Sequence, residues 1–186
     1  MGGYVVLLAL VLVPLVFLWL MYNRLVGIRN QCDNAWFNID TELRRRYDLI
    51  PNLVATVKGY AAHERELLEN VAQLREECVA NTGSPESQAA SENKLVRALS
   101  GLLVRAEAYP QLKASQNFLD LQEELVNTED RIQAARRFYN GNVRENNDLV
   151  QSVPSNLIAR AFGFGLREYF EIEDTRARSA PAVSHQ

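Results

Sequence analysis

A chain of 186 residues with 20 lysines and arginines against 23 aspartates and glutamates, both signs interspersed, has neither the basic balance of a nucleic-acid binder nor the one-sided charge of a solvating tail. Cys32 and Cys78 are too few and too far apart in sequence to staple a secreted domain, and neither belongs to a CxxC or Cys/His cluster. With only His63 and His185 present, and His185 in the last residues of the chain, no histidine dyad or triad assembles from ordered segments.

The first 23 residues carry no charged side chain, and Tyr4 to Tyr22 form an almost unbroken apolar run that Arg24 ends. Nineteen helical residues reach about 28 Å at ~1.5 Å each, close to the ~30 Å hydrocarbon core of a bilayer. Tyr4, Trp19 and Tyr22 sit near the two ends, where amphipathic rings favour the headgroup level, and Pro14 is tolerable because lipid offers no alternative to helix. A cleaved signal peptide would want a basic n-region and a small-residue site, whereas here nothing basic precedes the run and Leu20, Met21 and Tyr22 close it. Myristoylation is excluded, since Val6 stands where the motif needs Ser or Thr. Arg24 and Arg29 follow the run with no basic side chain before it, so the positive-inside rule puts the amino terminus outside and the bulk in the cytoplasm.

From Leu25 the apolar positions Ile28, Cys32, Trp36, Ile39, Leu43, Tyr47 and Ile50 recur at a mean step near 3.6, which predicts one helix running unbroken out of the membrane. Pro51 is expected to end it and open a tight hairpin. A second helix would then carry Ile50, Val57, Val71 and Cys78, with Leu53, Tyr60, Leu67 and Leu74 on the alternate seam and Glu64 interrupting it. Residues 81–87 (NTGSPES) are turn formers and caps, hence a loop. A third helix follows with Leu95, Leu99, Leu102, Ala106 and Tyr109 before Pro110. The fourth starts at Ser115, a candidate N-cap, and carries Phe118, Leu121, Leu125, Thr128, Ile132, Ala135 and Tyr139 down to Leu149.

No segment alternates with period two. The predicted fold is therefore all-α: an N-terminal transmembrane helix (residues 1–23) continuous with an elongated antiparallel up-down four-helix bundle (24–151), with helices of about 25 to 35 residues and a rod ~40 to 50 Å long. A short helical or interfacial segment (152–172) and a disordered tail (173–186) follow. The fourth helix returns to the bilayer, bringing Leu157, Ile158, Phe162, Phe164, Tyr169 and Phe170 with it. Those residues are read in two ways, as a second membrane-interface anchor or as a cover that completes the open end of the core. Reflection of Cys32 through a hairpin at Ile50 puts it ~15 Å from Cys78, too far for a disulfide.

Several blocks carry a resemblance. DNAWFNIDTELRRRYDLIPNLVATVKGYAAHE (33–64), AEAYPQLKASQNFLDLQEEL (106–125), TEDRIQAARRFYN (128–140) and PSNLIARAFGF (154–164), in this order, closely resemble the LemA family of bacterial membrane proteins. The resemblance implies a single N-terminal span and a cytoplasmic antiparallel helical bundle in the bacterial cytoplasmic membrane, and it implies no particular chemistry. Asn146 stands where the family pattern leads one to expect an aromatic, and Val153 where Phe is usual before Pro154.

Motifs for chemistry are lacking. His63 and Glu64 begin an HExxH, but Leu67 occupies the second histidine position. There is no P-loop, nucleophile elbow or dinucleotide fingerprint, and Gly163-Phe164-Gly165 is too weak a signal to count. No catalytic, cofactor or metal residues are assigned, and neither nucleic acid nor a small-molecule substrate is expected. Arg44, Arg45, Arg46, Arg136, Arg137, Asp40 and Asp48 are the charges of interest. They are read as a solvated face, as ion pairs that set helix register, or as a patch that receives a partner. The expected function is that of a non-enzymatic membrane-anchored scaffold or adaptor, with membrane lipid and protein partners; the alternative is a self-associating protein that organises or remodels the membrane.

Overall fold

The computed structural model describes residues 2–61 and 63–172, so the expected disordered tail lies outside the described residues. Six helices and no strand occur among them: α1 (Gly2–Tyr60), α2 (Arg65–Ala80), α3 (Pro85–Ala106), α4 (Pro110–Lys113), α5 (Gln116–Gln151) and α6 (Ser155–Ala161). The all-α class and the continuity of the apolar segment with the bundle are as the periodicity predicts.

α1 is a single helix of 59 residues with two environments. Its most apolar stretch has no buried residue and is long and apolar enough to cross a membrane. From Leu25 onward the predicted stripe turns inward: Leu25, Ile28, Cys32, Ile39, Leu43, Tyr47 and Ile50 are all buried, with Trp36 packed at the edge.

The hairpin at Pro51 does not form. α1 runs through this proline to Tyr60, so Ile50, Leu53 and Val57 belong to the first helix, and only Leu67, Val71, Leu74 and Cys78 to the second. Proline inside a helix removes the bond to the carbonyl four residues earlier, here that of Tyr47. Arg75 of α2 donates its Nε–H to the Tyr47 carbonyl oxygen at 2.8 Å, so the orphaned acceptor is satisfied from outside. The chain reverses instead between the end of α1 at Tyr60 and the start of α2 at Arg65. Glu64, expected inside a helical seam, stands before the first turn of α2, where it accepts from the Tyr109 hydroxyl at 3.1 Å and faces Arg105 at 3.5 Å. That contact ties the far end of the α1–α2 turn to the end of α3.

The loop predicted over 81–87 is present but shorter, 81–84, because Pro85 to Ser87 form the first turn of α3. Ser84 caps α3 by accepting from the Ser87 amide, with Pro85 at the first helical position, and Asn81 Oδ1 accepts from the Gly83 amide at 3.0 Å. α2, however, has 16 residues, well short of the predicted length, and α3 has 22, just under it. They form a short hairpin laid on the far half of a long one.

The long hairpin is α1 with α5. Asn117 donates to Thr56 at 3.1 Å, Arg131 faces Glu42 at 3.9 Å, Tyr139 lies against Trp36 with ring centroids 5.3 Å apart, Asn142 donates to the Gln31 carbonyl at 3.3 Å and Glu145 meets Arg24 at 3.3 Å. One antiparallel register therefore holds from residue 56 back to residue 24, ~48 Å at 1.5 Å per residue. Phe118, Leu121, Leu125, Thr128, Ile132 and Tyr139 of α5 are buried along it. With the reversal beyond Tyr60, Cys78 lies level with Tyr47, not with the position a hairpin at Ile50 would give. Both thiols are free and buried.

Where α2 and α3 stop short, the C-terminal segment takes their place. α6 ends in a left-handed Gly163, φ +73°, with the Phe164 amide bonded to the Ala159 carbonyl at 2.9 Å, a Schellman stop. Residues 164–172 then run extended along α5. Asn147 and the Arg167 peptide exchange two hydrogen bonds, at 3.0 and 2.9 Å, and Asn140 and the Phe170 peptide exchange two more at 3.0 and 2.9 Å. The spacing is a geometric match: seven helical residues rise ~10.5 Å and three extended residues ~10 Å. Tyr139 and Asn146 add bonds to the carbonyls of Glu168 and Gly165, and Arg136 donates to that of Ile172. Asn146, the departure from the family pattern, is thus a buried donor to this strap. Phe170 and Ile172 join the main core, while Ile158, Ala159 and Phe164 close a second, smaller one over Leu25, Ile28 and Leu149.

Candidate interaction surfaces

One charge of the arginine triplet is internal. Arg46 is 2 % exposed; its guanidinium donates to Glu92 of α3 and, at 2.9 Å, to Glu129 of α5, and the Tyr47 hydroxyl donates to the other Glu92 oxygen. Burial works against the arginine charge, but Glu92 and Glu129 outweigh it and raise its pKa. The Tyr47 phenol is raised too, by burial first and Glu92 second. Cys78 is pushed up to about 12 by burial and then by the same carboxylate, so its thiol stays protonated and unreactive at neutral pH. Glu92 was missed in the sequence, although it sits three residues before Leu95 on the apolar face of its helix. A carboxylate at a core position is the signal that could have found it.

The remaining predicted charges fall into two groups that do not meet. Arg44 pairs with Asp40 on its own helix at 2.9 Å, and both line a cleft with Asp48, Arg75, Asn81 and Gln88 between α1 and the α2–α3 loop. Arg136 and Arg137 line a separate groove with Asn140, Gly141 and Arg144 along the edge of the strap, beside Tyr169 and Glu171. Arg45 crosses to Glu124 of α5 at 3.5 Å with both partners about half exposed, a contact worth little in water. On the register reading, one of the three given for these charges, Asp40 pairs within its own helix, and the acidic half of the interhelical pairs comes from Glu42, Glu92, Glu124, Glu129 and Glu145. They sit on the faces that α1, α3 and α5 turn toward one another, which residue spacing along one helix does not reveal.

The six residues expected at a membrane interface also divide. Ile158, Phe164 and Phe170 are buried in the bundle, whereas Leu157 and Phe162 are 65 % and 61 % exposed and Tyr169 lies half exposed on the strap. His63 stands exposed in the α1–α2 turn, and no three His, Cys, Asp or Glu side chains converge as a metal site among the described residues.

An antiparallel α-helical bundle continuous with one helix long and apolar enough to cross a membrane, with Arg46 buried between Glu92 and Glu129, defines the class as a helical-bundle protein with a single candidate span among the described residues. The profile of the LemA family matches residues 35–185, most of the chain. The chain belongs to the LemA family. It is similar to magnetosome protein MamQ of Magnetospirillum gryphiswaldense, 25 % identical over 194 aligned residues covering 91 % of this chain and 71 % of the relative. Magnetosome protein MamQ 2 of Paramagnetospirillum magneticum is 26 % identical with the same coverage. Protein LemA of Metamycoplasma hominis is 27 % identical over 139 residues, 74 % of this chain and 63 % of the relative.

Proposed function

We infer that the protein is a non-enzymatic scaffold held by one N-terminal span in the bacterial cytoplasmic membrane, with its bundle in the cytoplasm, and that it receives protein partners on its charged grooves. The observation that carries this reading is the continuity of α1: the exposed apolar stretch and the central core helix are one 59-residue element. Such a helix couples the bundle to the apolar stretch with no flexible joint between them, so the two share one axis. Membership of a family whose relatives include magnetosome proteins and a protein LemA supports a structural role rather than a catalytic one. Arg44 and Arg137, both exposed, are assigned to partner contact; Arg46, bonded to α3 and α5, is assigned to helix register.

Affinity capture of the full-length protein from its native membrane tests this, run beside the R44E and R137E variants. A reproducible partner lost from one or both variants, with their melting unchanged, is the expected result. Recovery of the protein alone, and only when residues 1–23 are present, would overturn the adaptor reading in favour of a self-associating membrane organiser. The observation favouring that second reading is the pair of exposed aromatics on the long hairpin, Phe37 and Phe138, at 68 % and 59 % exposure. Protease protection of the amino terminus in sealed vesicles, against accessibility of the bundle, checks the orientation.

A further inference from the structure

The outward face of α6 is apolar at the place where the bundle meets the apolar rod. Val153, Leu157 and Phe162 are 79 %, 65 % and 61 % exposed, although the same segment buries Ile158, Ala159 and Phe164. Its height is fixed by ring contacts. Phe162 and Phe164 pack edge-on against Tyr22, with centroids 4.9 and 5.9 Å away, and Tyr22 is the last residue of the apolar run. Basic residues share that level: Arg160 is exposed on α6, Arg24 follows Tyr22 by two residues, and Arg29 lies 5.3 Å over the Phe164 ring. Glu145, bound to Arg24 at 3.3 Å, and the exposed Asp148 oppose them, leaving an arginine excess.

We propose that this face is a second membrane contact, seated in the anionic headgroup layer of the bilayer that α1 spans; the proposal rests on the span reading above. Apolar side chains flanked by arginines are what an interfacial surface needs, the rings and Leu157 entering the acyl boundary while guanidinium groups meet lipid phosphates. α6 has 7 residues, too few to be a stable helix alone, but it is already folded on Leu25, Ile28 and Leu149. Binding therefore orders nothing new, and a preformed surface loses less to entropy than a peptide that must fold on the membrane.

Brominated-lipid quenching of the full-length chain, reconstituted into phosphatidylcholine vesicles with or without phosphatidylglycerol, tests the proposal. Trp36, packed in the bundle, emits in every sample, so each signal is read as the difference from a W19F variant, whose sole tryptophan is Trp36; the unchanged protein then reports on the span through Trp19. A W19F/L157W variant reports on α6, and W19F/V104W on the end of α3 at the far end. The expected result is that the tryptophan of L157W is blue-shifted and loses most of its emission to brominated lipid, more completely with phosphatidylglycerol, while that of V104W is unaffected. Adding R160E is expected to reduce the phosphatidylglycerol effect. An unquenched, red-shifted L157W signal alongside quenched Trp19 would mean that the face meets water or a protein, and would overturn the contact with the span intact. Equal quenching in both vesicles would overturn the anionic assignment, and unquenched Trp19 would overturn the span reading and this contact together.

Discussion

Arg46 shows how one side chain decides what its neighbours can be. Truncation to Ala leaves Glu92 buried with an uncompensated charge, and breaking a buried pair from one side costs about 3 to 5 kcal/mol. The R46M/E92Q double variant should cost less than R46M alone, because the glutamine amide carries no charge yet still accepts from Tyr47; denaturant titration of the four proteins gives the coupling. Alkaline stability is set by Cys78 in this pocket and by Tyr139 beside Trp36 and the strap. Folded Cys78 and Tyr139 hold their protons to about 12, each raised first by burial, whereas the unfolded thiol and phenol release theirs near 9.0 and 10.0. The unfolded state thus binds fewer protons across that window, and stability, complete below pH ~9, should fall steadily toward pH ~12. C78V should remove the first part of that fall in denaturation midpoints measured as a function of pH.

At the scale of elements, Pro51 marks what a sequence can and cannot tell. Read locally it is a stop, yet the helix continues, and the carbonyl of Tyr47 that the proline leaves without its helical partner is met by Arg75, 24 positions further along the chain. R75M should cost about 1 to 3 kcal/mol, the penalty of an unpaired carbonyl. In a P51A background the cost should shrink, since an alanine at this position restores the amide that bonds the Tyr47 carbonyl, and a thermal-melt double-mutant cycle measures the difference. The apolar stripes of α1 and α5 and the loop at 81–84 were legible because each is encoded within one segment. The strap was not, because residues 164–172 lack periodicity and their order comes from Asn140 and Asn147 on another helix. Gly163 was visible as a residue but not as a helix stop, which depends on where α6 ends. For the candidate surfaces, the arginines could be found in the sequence, whereas their division into one internal pair and two separate grooves depended on packing between helices.

For the whole molecule, the apolar end and the bundle are energetically separate although they share a helix. Among the described side chains of residues 2–20 none belongs to either core, which begins with Met21 at the edge of the smaller one. A chain lacking residues 1–20 should therefore unfold at the same denaturant concentration as the full protein in detergent, to within about 0.5 kcal/mol. Removal through residue 29 should lower the midpoint sharply, because Leu25 and Ile28 are then lost. Continuity between two energetically independent parts has a mechanical meaning. Between Tyr22 and Tyr60 the rod extends ~57 Å, so a bilayer that tilts the span by ~20° sweeps its tip sideways by ~20 Å. On the span reading proposed above, the bundle is the long arm of a lever whose short arm tilts with membrane thickness, and hydrocarbon mismatch becomes a displacement that anything gripping the far end would feel.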